Sequence, residues 1–179
     1  MNFFKYKLWS ITIIISIVFS SSCATVTSDI EVETHDTPGI DYSQYTSYAW
    51  AGSAQIVFDP VGQWEQPALD TDEEVKFAIN RELRNHGLIQ VDHMPDLLVA
   101  YAAGIETSAL ELNEYPEQGQ DMLTNIPKSA LLIALSDANT GYIVWLGYAE
   151  GETQLKRDIE SIKTRIDYAV TEIFRSYNR

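Results

Sequence analysis

A single cysteine stands in 179 residues, so no internal disulfide can form and the fold must rest on its apolar core. Histidine is almost as scarce: His35, His86 and His93 each stand alone. There is no His-Glu-x-x-His helix, no Gly-x-Ser-x-Gly elbow and no phosphate-cradling glycine loop. Asp92-His93-x-x-Asp96 offers one imidazole and two carboxylates on a loop, too few for a metal centre without a second cluster. We therefore assign no catalytic residue, no metal ligand and no cofactor, while triads assembled from distant positions stay open. Basic side chains are few as well, 12 against 26 acidic ones, for a net charge of −14. Residues 24–75 hold eleven acids and no Lys or Arg. That balance argues against nucleic acid and anionic lipid surfaces as partners, because both need a basic patch.

What is present begins at the N-terminus. Lys5 and Lys7 open the chain, and Leu8 to Phe19 is a twelve-residue run with three polar positions, Ser10, Thr12 and Ser16. A bilayer-spanning helix needs about 20 apolar residues, so this run is short for one. Ser20-Ser21-Ser22 leads into Cys23. The layout is that of a secretory signal peptide. With Cys directly after small residues it resembles a bacterial lipoprotein signal, in which acyl chains such as palmitate are attached to the Cys and cleavage falls just before it. An ordinary signal peptide cut elsewhere and an uncleaved anchor are the alternatives. Ser20 departs from the aliphatic residue usual in lipoproteins three positions before the Cys. The expected organisation is a signal peptide over 1–22, a lipidated tether over 23–29 and one domain over 30–179. Removing 1–22 takes two lysines and no acid, leaving 157 residues with 10 basic and 26 acidic side chains and a charge of −16. That length suits one domain with a real core. Six of those ten basic groups lie in the last 25 residues, so the surface should be electrically polar.

Ile30-Glu31-Val32-Glu33 alternates as a half-buried strand does, and Tyr45 to Ala51 reads as a second strand. Gly52 to Asp70 has Pro60, Gly62 and Pro67 without periodicity and is a candidate functional loop. Phe58 and Trp64 within it are expected as a lid folded on the core or as partner contacts. Thr71 and Glu74 have capping-box spacing, opening a helix to His86 with Gly87 as its stop. Leu88 to Val91 is a short strand, and Leu97 to Ala103 a central strand covered on both faces. Gly104 to Lys128 is a second irregular stretch, carrying Tyr115, in which Leu110 and Leu112 alternate as in a short strand. Ala130 to Ser136 and Tyr142 to Ala149 flank Asp137-Ala-Asn-Thr-Gly141, a hairpin signal. Leu155, Ile159, Ile162, Ile166, Ala169, Val170, Ile173 and Tyr177 recur at helical spacing, a stripe expected to pack on the sheet. Lys156–Glu160 and Lys163–Asp167 have i,i+4 spacing on its outer face. The fold class is α+β: a mainly antiparallel sheet packed by two helices, in the order ββαβββ(β)α.

Asp41-Tyr42, Tyr45-x-x-Tyr48-Ala-Trp50, Pro95-Asp96-Leu-Leu-Val99 and Asp137-x-x-Thr140-Gly141-x-x-Val144-Trp145-x-Gly147-x-Ala149 occur in this order. Across residues 30–178 they resemble the DUF4136 family of bacterial lipoproteins, a domain of unknown function. The resemblance implies a periplasm-facing lipoprotein with a sheet backed by two helices, and it brings no catalytic residues. Trp50 and Trp145 read as packing anchors. Family members often carry a basic residue where this chain has Leu146. Ala24 after the Cys, in place of the Asp that retains lipoproteins in the inner membrane, implies the outer membrane of a Gram-negative cell. Two functions are expected to compete. One is a non-catalytic envelope module binding a protein, glycan or lipid through Phe58, Trp64 and Tyr115, and held to the membrane by lipid on Cys23. The other is a small hydrolase of envelope material.

Overall fold

The structure, a computed structural model, describes residues 26–108, 110–115, 120–153 and 157–177, with the backbone path alone over 110–115 and 120–124. The expected signal peptide and Cys23 lie outside the described residues, as does the side chain of Tyr115.

Six strands form one mixed sheet, β1 (Glu31–Asp36), β2 (Ser47–Phe58), β3 (Ile89–Gln90), β4 (Leu97–Glu106), β7 (Lys128–Asp137) and β8 (Ile143–Glu152). Their order is β1-β8-β7-β4-β2-β3. A separate antiparallel hairpin, β5 (Leu110–Tyr115) and β6 (Gln120–Asn125), rises between β4 and β7. Helices α1 (Thr71–Asn85) and α2 (Ile159–Arg175) complete a single α+β domain. The pairings β1–β8, β8–β7 and β7–β4 are antiparallel, as expected. β2 runs parallel to both β4 and β3. Helix α1 separates β2 from both, and a connection of that length lets the chain return in the same direction.

The two long irregular stretches are shorter than the sequence implied. β2 continues to Phe58, because Gly52 to Phe58 pair with Ala100 to Glu106 after a bulge between Trp50 and Gly52. Of the second stretch, most is the extension of β4 and the β5–β6 hairpin. α1 is capped by Asp70, whose Oδ1 accepts from Glu73 N at 3.1 Å, one residue before the expected Thr71. Thr71 is occupied otherwise, accepting at its Oγ1 from Gln55 Nε2 at 3.0 Å. The helix stops where expected. Gly87 has φ +78°, Gly87 N donates to Arg84 O, and Leu88 N donates to Leu83 O, the pair of bonds that closes a left-handed helix end.

The core lies between the sheet and the helices. Leu97, Val99 and Tyr101 of β4, Ile133 and Leu135 of β7, and Trp145 of β8 face Ile79 and Leu83 of α1 and Val170, Ile173 and Phe174 of α2. Each such side chain contributes about 1.5–3 kcal/mol. The expectation that β4 is covered on both faces is corrected: Leu98, Ala100 and Ala102 on its other face are only half-buried. Lys163 and Asp167 join the two helices instead of each other, Lys163 reaching Glu74 at 3.7 Å and Asp167 accepting from Arg81. Among the described residues no helix is long and apolar enough to cross a membrane.

Candidate functional site

The residues quoted for the family resemblance turn out to hold the fold together. Asp41 caps a short 3-10 turn, Tyr42–Gln44, by accepting from Ser43 N. Tyr42 donates from its hydroxyl to Val144 O at 2.7 Å, and Tyr45 to Asp137 at 3.1 Å. Tyr48 Oη and Trp50 Nε1 both donate to Asn80 Oδ1 on α1. Asp96 accepts from Thr46 N, Thr46 Oγ1, Ser47 N and Ser47 Oγ, all at 2.8–2.9 Å, so it ties the start of β2 to the β3–β4 connection. Those four donors hold its carboxyl below the usual range, the Thr46 backbone amide first. Asp92-His93-x-x-Asp96 is thus a structural corner. Asp137 accepts from Asn139 N and Thr140 N in the β7–β8 turn, where Gly141 takes φ +75°. Trp145 is fully buried, and a Cβ on Gly147 would collide with Ile173 on α2. The Trp-x-Gly pair is what lets α2 lie close to β8.

The histidines are dispersed. His35 is exposed on β1, His86 lies against Phe174 and Tyr177 at the end of α1, and His93 is exposed before β4. Among the described residues no group of three or more His, Cys, Asp or Glu is placed to hold a metal.

At the opposite end from Trp145, Phe174 and Tyr177 the sheet and helices part around a cavity of about 410 Å³. Its floor is Gln55, Val57, Ala103, Ile105, Leu131 and Ala149 from four neighbouring strands. Val75 of α1 and Ile162, Ile166 and Ala169 of α2 form its walls. Its physical origin is side-chain size. Large aromatics fill one end of the sandwich, whereas the small residues Ala103, Ala149 and Ala169 line this one and leave space.

The β2–α1 loop, residues 59–70, roofs the cavity with Trp64, Gln66 and Pro67. Asp59 builds this loop. Its carboxylate accepts from Trp64 N at 2.7 Å, Gly62 N at 3.1 Å and Thr107 Oγ1 at 2.7 Å. These bonds, led by that of Trp64, keep its carboxyl below the usual range. Thr107 is itself buried and donates from its backbone to Phe58 O. Trp64 is half-buried in the roof, whereas Phe58 is the last residue of β2 and is 57% exposed, beside exposed Ile56, Val57 and Val61. The structure thus separates two residues that the sequence placed on one loop: Trp64 lines the cavity, whereas Phe58 does not, although its exposed apolar neighbours Ile56 and Val57 reach the lining.

Two arginines border the cavity, and sequence reasoning missed both as well as the cavity itself. Arg165, at helical spacing within an otherwise apolar stripe, is 9% exposed. Its guanidinium is bidentate to Asp29 at 2.6 and 2.7 Å and also donates to Val26 O and Glu152 O. Burial works to raise the Asp29 carboxyl, but Arg165 outweighs it and the group titrates below its usual range. Arg157 donates from Nη2 to Glu152 O at 3.2 Å, while its Nε is buried with no hydrogen-bond partner among the described residues. Burial and the neighbouring Arg165 lower its affinity for a proton.

A mixed sheet with two helices on one face, and an apolar cavity between them at one end, defines a two-layer α+β domain. Residues 32–177 match the family described as a domain of unknown function (DUF4136), and the chain belongs to it. It is similar to the crystal structure of a DUF4136 family protein from Bacteroides thetaiotaomicron, with 13% identity and a TM-score of 0.52 over 83% of this chain and 96% of that one. A PDZ domain protein from Parabacteroides distasonis shows 12% identity and a TM-score of 0.48 over 89% of this chain, which spans 40% of that protein's length. The lipoprotein GNA1162 from Neisseria meningitidis shows 9% identity and a TM-score of 0.38 over 73% of this chain and 99% of that one. At 13% identity the likeness to the Bacteroides thetaiotaomicron structure is one of fold. No curated protein matches the sequence.

Proposed function

We propose that this chain is a non-catalytic envelope lipoprotein, anchored through lipid on Cys23 to the outer membrane, facing the periplasm, that holds an apolar chain of an envelope molecule beneath the Trp64 loop. The observation that carries the reading is the cavity of about 410 Å³, which lies within the span of ligand pockets, about 300–1,000 Å³. Its lining is mostly aliphatic, with Trp64 as the aromatic group in its roof. Removing an apolar guest from water against such a lining is favourable. The signal layout ending at Cys23 supports the anchoring, and Ala24 supports the outer membrane.

A Cys23→Ser protein tests both halves. It should leave the membrane for the soluble periplasmic fraction; retention in the membrane contradicts the anchoring. Titrated with the uncharged apolar dye N-phenyl-1-naphthylamine, the same soluble protein should bind one equivalent saturably, and Ala103→Trp, which fills the cavity floor, should weaken that binding by about tenfold or more. Binding unchanged in Ala103→Trp contradicts the cavity reading.

A further inference from the structure

The described chain begins beside the cavity. Val26 O accepts from Arg165 Nη1 at 2.5 Å, Asp29 pairs with the same guanidinium, and Ile30 lines the cavity together with Arg165. This entry segment is pressed onto the end of β8, since a Cβ on Gly151 would stand 2.8 Å from Arg165 Nη2 and 3.0 Å from Asp29 Oδ2. Cys23 precedes Val26 by three residues. Three residues span at most about 11 Å at 3.3–3.6 Å each, so a group carried on Cys23 cannot lie farther than that from Val26, beside this opening.

From this placement we infer that the cavity seats an acyl chain of the protein's own N-terminal lipid. The inference rests on the proposed lipidation of Cys23. Its chemistry fits a neutral, chain-bearing guest better than a free acid. Arg165 is already neutralised by Asp29 and has no charge to offer. Glu150 lines the cavity, and the carboxylates of Asp29, Glu152 and Asp158 lie close enough to act on Arg157, so a carboxylate or phosphate head meets like charge. The ester or amide carbonyl at the head of a protein-bound acyl chain carries no charge, and Arg157, which lines the same cavity, has an Nε–H without a partner among the described residues that can donate to it. The tether also raises the local concentration of its own chain far above that of a free lipid.

The test is photocrosslinking in the intact, membrane-bound chain. Trp64→p-benzoylphenylalanine places a C–H-reactive ketone in the roof, and Gln66→p-benzoylphenylalanine, a milder change, does so beside it. After irradiation, digestion and mass spectrometry, either position should be joined to the acyl group of the peptide that begins at Cys23, and Cys23→Ser should abolish that adduct. A crosslink to phospholipid not attached to Cys23 overturns the inference and leaves the cavity's role as a lipid site standing. Crosslinks to protein alone, or none from two folded variants, overturn the inference. An unmodified Cys23 in the intact mass removes the anchoring reading itself.

Discussion

At the scale of single residues, Gly147 is tightly constrained. A methyl group there runs into Ile173, buried on α2, so Gly147→Ala should destabilise the domain by about 1–3 kcal/mol. Urea melts check this, and Ile173→Ala in the same chain should recover part of the loss relative to the sum of the single changes. Asp72 offers a pH test. It accepts from Lys76 at 2.8 Å and from the Tyr101 hydroxyl, and these bonds lower its pKa from 3.8 to about 2, while burial and Asp72 push Tyr101 up to about 12. A depressed folded-state pKa contributes stability that is fully present above the unfolded value, 3.8, and is lost as pH falls toward about 2. The acid limb of stability against pH should therefore flatten in Asp72→Asn, and an unchanged limb contradicts the assignment. At this scale the sequence was readable where chemistry is local. Gly87, Gly141 and the apolar stripe of α2 do what their neighbours dictate. Arg165 was not readable, because its partner Asp29 lies 136 residues away and nothing at its own position announces burial.

Among the elements, helices were more legible than strands for a physical reason. Both helices carry caps and a 3.6-residue period within their own sequence. β2 beyond Ala51 has Gly52, Ser53 and Gln55, weak strand formers that take strand geometry because β4 pairs with them. The parallel pairing of β2 and β4 was implicit in strand–helix–strand order, although the local alternation that marks a strand says nothing of its direction. In the loop after β2 one side chain, Asp59, bonds to Trp64 N, Gly62 N and Thr107 Oγ1. Asp59→Ala should free the Trp64 roof, raising acrylamide quenching of Trp64 in a variant whose other tryptophans are replaced by phenylalanine, and weakening N-phenyl-1-naphthylamine binding several-fold. Quenching and binding equal to the parent's contradict its role in holding the roof.

For the molecule as a whole, the separation of charge along the chain is partly folded back on itself. Arg165 and Lys163 from the basic C-terminal segment meet Asp29 and Glu74 of the acidic N-terminal one. One end of the sandwich gathers several features at once. The exposed rim of Ile56, Val57, Phe58 and Val61, the cavity, and the point where the described chain begins lie together, because the end of β2 pairs with the end of β4, that with the start of β7, and that with the end of β8. None of this was visible in the sequence, since the cavity is made by small residues from segments far apart, each unremarkable in its own strand or helix. If Cys23 is the attachment point, this end is the one brought to the bilayer, with the aromatic-filled end turned away. The intact mass of the chain purified from cell envelopes tests attachment at Cys23 most directly: the expected species begins at Cys23, lacks residues 1–22 and carries acyl groups, whereas a chain cut elsewhere, or one beginning at an unmodified Cys23, contradicts the account.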